Sequence, residues 1–378
     1  MKKEILILCK TNLQRDPRVL KQIEALHQDY NLTCVGTVKS MHAGVQNDLD
    51  LFELDSRGGP FNRIAHIAKL ITKRYKSLYW TVNNSSVYSC LKENSYDLII
   101  CNETESLPIA HRLAEKKDLS IYCDLHEFYL DDRLTGNFSK AQLLYEKWIF
   151  TNHIKHIKHF TTVSPQIIKL YKERYNITCT LLDNACKFYD LSPKPTSNKN
   201  IRIISHGAAI PARKLEVMIE AVSALDSRYT LDLYLMNNNP TYKKNLAQLV
   251  KNKKQVSLLD PIPFNEIQQT INQYDIGLYL LFPTHLNNSC ALPNKLFEFI
   301  QGRVAIVIGP TPAMAQLVEK YKLGTVSKNF TSTALTSAIE KLSSSDIDQC
   351  KQNTNIAALE RNSEKNLFEI KRIVSSLL

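Results

Sequence analysis

Short apolar runs alternate along this chain with longer stretches in which apolar positions recur every three or four residues. That is the pattern of buried parallel strands flanked by helices. EILILC (4–9) reads as a buried strand. Asp16-Pro17 then opens a helix, because aspartate caps a helix start and proline is tolerated at its first position. Val19, Leu20, Ile23 and Leu26 keep the helical spacing that follows. Further strands are predicted at 31–37, 97–101, 119–124, 159–163 and 178–182, with helices at 61–80, 82–94, 104–117, 139–157 and 164–175. LSPKPTSNKN (191–200), with two prolines and no periodicity, reads as a linker. Beyond it come strands 201–205, 230–236, 255–259, 275–281 and 303–308, with helices 211–226, 240–252, 264–273, 294–301 and 312–321. The tail is helical at 331–343, 346–360 and 363–377. The predicted class is α/β: two Rossmann-like doubly wound domains, residues 1–190 and 191–362, facing a central cleft. Ligands of such sheets bind beyond the carboxyl ends of the strands. Functional residues are therefore expected in loops 10–16, 102–105, 124–133, 183–186, 206–213, 260–263 and 282–295.

Three of those loops carry chemistry. In SHGAAIPARKLEVMIEAV (205–222), Arg213 and Lys214 stand at a predicted helix start, where unpaired N–H groups and a cation suit an anion. In FPTHLNNSCALPNKLFEFIQG (282–302), Lys295 and Glu298 lie three apart on one helix face. The lysine suits a diphosphate and the carboxylate suits ribose hydroxyls; the plainer alternative is a surface ion pair. In DLHEFY (124–129), a His beside two acids at a strand's carboxyl end is not core composition. His126 can donate to a sugar or phosphate oxygen and Glu127 can orient it.

Composition narrows the partners. Forty-eight Lys plus Arg against 37 Asp plus Glu leave +11, a balance suited to nucleic acid, acidic headgroups or a phosphate-bearing substrate. Nine scattered cysteines without a CxxC pair fit a reducing compartment, with neither a disulfide framework nor a zinc site. No apolar run approaches the ~20 residues of a membrane span, and MKKEILILCK is too short for a signal segment. A cytoplasmic protein is expected. Two acid-free basic stretches, 60–80 and 147–160, suggest a peripheral place on the inner, anionic face of the cell membrane; the alternative is a helix with a solvated side.

Taken together, DPRVLKQIEAL (16–26), YDLIICNETESLPIAHRLA (96–114), YCDLHEFY (122–129), FTTVSPQIIKLY (160–171), SHGAAIPARKLEVMIEAV and NNSCALPNKLFEFIQG resemble family-4-type glycosyltransferases of the GT-B fold, which use nucleotide-diphosphate sugars. The resemblance implies that the first half binds the acceptor and the second the donor, with helix 363–378 returning to pack on the first. It implies catalytic roles for His126, Arg213 and Lys295. It places Glu298 on the nucleotide ribose, with His206, Gly207, Asn184, Cys290, Ala291 and Leu292 around the donor. On the acceptor side it points to Arg15, Asp16 and Glu127. Two positions depart from the pattern: Cys290 stands where the first glutamate of a pair belongs, and Ala208 where a basic residue usually lies.

The resemblance further implies a retaining reaction without metal or cofactor, moving a sugar to a glycan or lipid-linked acceptor in cell-surface polysaccharide synthesis. The leaving phosphate takes the acceptor proton. Asp48-Leu49-Asp50 and Asp346-Ile347-Asp348 look like metal-binding strings but lie outside the predicted cleft loops. His153, His156 and His159 read as a basic helical surface rather than a zinc site. A nucleotide-sugar epimerase of the same fold is the enzymic alternative, separated by whether a second substrate is required. A basic nucleic-acid-binding protein is the alternative of another class, and it lacks a recognition motif.

Overall fold

The computed structural model describes residues 2–52, 60–115, 117–128 and 140–378, with only the backbone of 60–63. The chain divides into two compact units, Met1–Asp183 with Asn366–Leu378, and Asn184–Lys365.

The first unit is built on a seven-stranded sheet of order β3-β2-β1-β4-β5-β6-β7. Its strands are β1 (Glu4–Leu8), β2 (Asn31–Val35), β3 (Asn47–Leu49), β4 (Leu98–Asn102), β5 (Ser120–Leu125), β6 (Ile157–Thr162) and β7 (Cys179–Leu181). Every pairing is parallel. Helices cover both faces of a parallel sheet, which is why Ile5, Leu6, Ile7 and Leu8 are all fully buried. Helix Pro17–Leu26 starts where the sequence predicts, Asp16 accepting the N–H groups of Arg18 and Val19. Helix Ser363–Leu377 passes from the second unit into the first. It buries Ile370, Ile373 and Val374 in the core that holds Ile5 and Ile7, each worth roughly 1.5–3 kcal/mol.

The second unit repeats the plan with β8 (Ile201–Ala208), β9 (Tyr229–Met236), β10 (Val256–Leu259), β11 (Ile276–Tyr279), β12 (Ala305–Ile308) and β13 (Gly324–Val326). Its order is β10-β9-β8-β11-β12-β13, again wholly parallel. Strand order reverses between β1 and β4 in one sheet and between β8 and β11 in the other. Loops leaving those strands part in opposite directions and open a crevice at each carboxyl edge.

Three local expectations are corrected. The stretch 191–200 lies inside the second unit, and the chain crosses earlier, between Asp183 and Asn184. The buried Lys351 ammonium holds that stretch, bonding Lys194 O at 3.0 Å and Thr196 Oγ1 at 2.8 Å while pairing with Asp275 at 2.6 Å. Helix 61–80 is broken into Pro60–Ile71 and Tyr75–Tyr79 by Lys73, whose φ of 54° is left-handed. Helix 139–157 ends at His153, and a single 3-10 turn, Ile154–His156, leads into β6.

Candidate functional site

In the second unit, β8 and β11 bring five of the predicted residues to one carboxyl edge. Gly207, next to last in β8, has φ 127°, open to glycine and strained for any side chain. The space beside it is filled by Lys295, the second residue of helix Asn294–Gln301. Tyr279 ends β11 and gathers both cations. The Arg213 guanidinium donates to its hydroxyl, and Lys295 Nζ lies 5.8 Å from its ring centroid. Burial pulls the Lys295 ammonium below its ordinary pKa, with Glu298 opposing and Arg213 adding to the fall. Arg213 sits in a separate 3-10 turn, Pro211–Arg213, rather than at the helix start, and Lys214 at φ 45° forms the helix cap.

Glu298 lies in the second turn of its helix and turns to His206 on β8, Oε2 to Nε2 at 3.3 Å. Burial raises the carboxyl, but His206 and Lys295 outweigh it and hold it below the ordinary range. The plain surface ion pair between Lys295 and Glu298 is thus not the arrangement. Glu298 Oε2 and His206 Nε2 are buried, and among the described residues neither makes a hydrogen bond. Buried polar atoms are nearly always bonded, and here the two face each other at 3.3 Å.

The remaining residues expected on the donor side are tied to one another or to the core. Asn184 Nδ2 donates to Leu292 O at 3.1 Å. Leu292 packs into the core with Leu296 and Phe297. Cys290 ends the short helix Leu286–Cys290 and is buried, which pushes its thiol pKa up. Ala291 packs against the same core. A neutral thiol at 290 cannot replace the carboxylate that the motif lacks.

In the first unit, Asp124 at the end of β5 is the centre of a buried network. Arg18 pairs with it through Nη2 and, at 3.0 Å, through Nε. Thr161 Oγ1 donates to it at 2.6 Å and Gln22 Nε2 at 3.2 Å. Burial raises the Asp124 carboxyl, but Arg18 and then His126 hold it well below the usual range. His126 lies between two acids, Nδ1 3.2 Å from Glu103 Oε1 and Nε2 3.5 Å from Asp124 Oδ2. Glu103 follows β4, and burial pushes its carboxyl up to about 7 against the pull of His126. Here too two buried atoms, Glu103 Oε2 and His126 Nε2, have no hydrogen-bond partner among the described residues.

Of the residues expected on the acceptor side, the Asp16 carboxylate is committed to its own helix start and to Thr11 Oγ1 at 2.7 Å. Arg15 and Glu127 are exposed. Tyr129–Arg133, part of the predicted 124–133 loop, lies outside the described residues. Sequence reasoning passes over Glu103, Arg18, Tyr279 and a second cluster around Lys10. Lys10 Nζ lies 5.2 Å over Phe52 and 5.0 Å over Tyr79 and donates to Asn84 Oδ1 at 3.2 Å. Burial, then Glu105, push the nearby Glu146 carboxyl up to about 7. An acid directly after a strand, as in NETES (102–106), is the signal that would have found Glu103.

The metal-like strings are spent on structure. Asp48, within β3, accepts the N–H and hydroxyl of Ser40 and the N–H of Met41, and Asp346 completes a capping box with Ser343. Among the described residues Glu24, His27 and His42 do gather at metal-ligand spacing. Gly44 N–H donates to His42 Nδ1 at 3.0 Å, however. That leaves the neutral ring's proton on Nε2, the atom facing Glu24. The predicted basic histidine surface is also corrected. His153 Nδ1 meets His111 Nδ1 at 3.0 Å, His156 stacks on His111 at 3.7 Å, and His159 bonds Thr180. Burial and then the neighbouring histidines hold His153 down to about 4, so it is neutral.

No family model and no curated protein matches the chain by sequence. Solved structures do match by shape. HepE of Anabaena in complex with UDP-glucose aligns at TM-score 0.67 and 15% identity, over 99% of each chain. Sucrose-phosphate synthase of Thermosynechococcus elongatus aligns at 0.70 and 13%, over 100% of this chain and 99% of that one. A glycosyltransferase of Rickettsia africae aligns at 0.66 and 13%, over 99% of each. The chain has the GT-B fold of nucleotide-sugar glycosyltransferases. At these identities the likeness is one of fold, and the chemistry rests on the side chains.

Proposed function

We propose that this protein is a glycosyltransferase that moves a sugar from a nucleotide-diphosphate sugar to a glycan or lipid-linked acceptor, with retention and without a metal. The observation that carries the reading is the edge of the second sheet. Two cations meet on Tyr279 beside a histidine–carboxylate pair whose facing atoms are unbonded. Cations and hydroxyl acceptors side by side match a diphosphate joined to a ribose. HepE is described with UDP and with UDP-glucose, which makes UDP-glucose the first donor to try.

In the reaction the bond from the anomeric carbon to the diphosphate oxygen breaks. The acceptor oxygen bonds that carbon on the same face, and its proton goes to the leaving phosphate. Negative charge grows on that phosphate, and fixed donors aimed at it lower the barrier without reorganising. Arg213 and Lys295 take that role, Glu298 holds the ribose, and His126 donates to a hydroxyl of the transferred sugar.

A place at an anionic membrane surface belongs to the same proposal. Helix Pro60–Ile71 leaves Ile64, Ile67 and Ile71 at 64%, 54% and 68% exposure. Lys69 lies within the same helix, and Lys73, Arg74 and Lys76 follow closely. An apolar stripe beside clustered bases suits lipid tails and acidic headgroups together. Among the described residues no helix is long and apolar enough to cross a membrane. A cytoplasmic site of synthesis of surface polysaccharide completes the reading. The test is thermal shift and calorimetry against a panel of nucleotide-diphosphate sugars, followed by product analysis with the one that stabilises. Absence of binding across the panel would overturn the proposal.

A further inference from the structure

Glu103 occupies a backbone conformation that its own side chain disfavours. Its φ is 66° and its ψ 167°, a region glycine enters readily and other residues enter only where their surroundings hold them. The residue follows β4 directly, on the side of the strand-order reversal where ligands are expected. The turn sends its carboxylate against His126. Oε1 accepts the His126 backbone N–H at 3.0 Å and stands 3.2 Å from ring Nδ1. The other acid at the ring, Asp124, is already bonded by Arg18, Gln22 and Thr161. His126 Nε2 stands 3.5 Å from Asp124 Oδ2 and, among the described residues, makes no hydrogen bond.

We infer that Glu103 is the positioning residue of His126: it fixes the ring and keeps a proton on Nδ1. This rests on the glycosyl-transfer reading of the site. Burial works against the imidazolium, but Glu103 first and then Asp124 outweigh burial and Arg18, and the ring's pKa stands above its ordinary value. Glu127 is the remaining charged group of the cluster and acts on Glu103. The strained backbone and the two acids together describe a ring whose charge is set by its neighbours rather than by solvent.

The experiment is an NMR titration of protein labelled at histidine, His126 being assigned by loss of its signal in His126→Gln. In Glu103→Gln the midpoint of His126 moves down relative to the wild type. Glu103→Gly guards against misfolding, because glycine relieves the backbone: its Tm holds or rises while the His126 midpoint falls as in the glutamine variant. Glu103→Asp keeps the charge and retains part of the upward displacement. With the donor found by the panel, kcat falls on the order of ten- to a hundred-fold in Glu103→Gln, and the nucleotide Kd is unchanged. A His126 midpoint that does not move in Glu103→Gln and Glu103→Gly overturns the inference. A wild-type protein that binds no nucleotide sugar would instead overturn glycosyl transfer, while the titration still decides the relation of these two residues.

Discussion

The side chain of Lys295 occupies the space a Cβ on Gly207 would need, 2.5 Å from Cε and 2.7 Å from Nζ. The missing side chain of one strand residue therefore sets where the cation of a distant helix rests. Gly207→Ala displaces the ammonium and forces φ 127° on an alanine. Losing one charge-assisted bond to a diphosphate costs roughly 1.5–3 kcal/mol, about ten- to a hundred-fold in Kd. Calorimetric titration of UDP into both proteins measures it; equal affinities would show that Lys295 does not reach the phosphate.

Glu298→Gln keeps the shape of the side chain but removes the charge that faces His206 at 3.3 Å. Nucleotide binding is expected to weaken by about ten- to a few-hundred-fold. A deoxyribose nucleotide then suffers little further loss in the variant, since the missing partner is the same. If the deoxy form is penalised equally in both proteins, the ribose is held elsewhere.

Transfer activity is expected to survive a strong chelator, because the positive charge at the donor edge is carried by Arg213 and Lys295. Complete loss with EDTA, restored by magnesium or manganese, would contradict this.

Replacing Ile64, Ile67 and Ile71 by serine should weaken co-sedimentation with anionic vesicles and leave UDP binding unchanged. Replacing Lys69, Lys73, Arg74 and Lys76 together should do the same, with an effect that shrinks as salt rises. Wild-type protein that ignores such vesicles at low salt would point to a soluble acceptor.

Arg18→Ala leaves the buried Asp124 carboxylate without its cation, and such losses cost about 3–5 kcal/mol. The Asp124 pKa is depressed in the folded state. Its stabilisation is therefore fully present above the unfolded value of about 4 and is lost as pH falls through the folded one. Urea melts from pH 7 downward should show Arg18→Ala already weakened at neutral pH, with its deficit shrinking as the acid is titrated. A deficit that does not change with pH would mean lost packing, not lost charge.

Much of this was legible in the residues. β1 and β12 are continuous apolar runs and could be read as central strands because both faces are buried. β3 and β13 could not, since NDL and GTV each hold one apolar side chain and none of their residues is buried. Arg213, Lys295 and Glu298 are legible because polar residues in the loops after strands have no core role, whereas His206 and Gly207 come only with the resemblance. Leu292 and Ala291, which the resemblance places around the donor, also pack on the core of their own unit. Tyr279 looked like one more apolar strand residue, and its hydroxyl shows only once Arg213 is placed beside it. The left-handed backbone of Glu103 is imposed by tertiary context and has no sequence signature.

The chain leaves the first unit after Asp183 and re-enters it at Asn366, whose side chain donates to Asp183 O at 2.8 Å. The second unit is in this sense an insertion inside the first. During synthesis the whole of residues 184–365 emerges before the segment that closes the core around Ile5 and Ile7. The second unit can therefore fold on the ribosome ahead of the first. The opening 183 residues must wait, with apolar surface uncovered, for Ile370, Ile373 and Val374. A nonsense change just after Lys365 would spare the second unit and leave the core of the first unfinished.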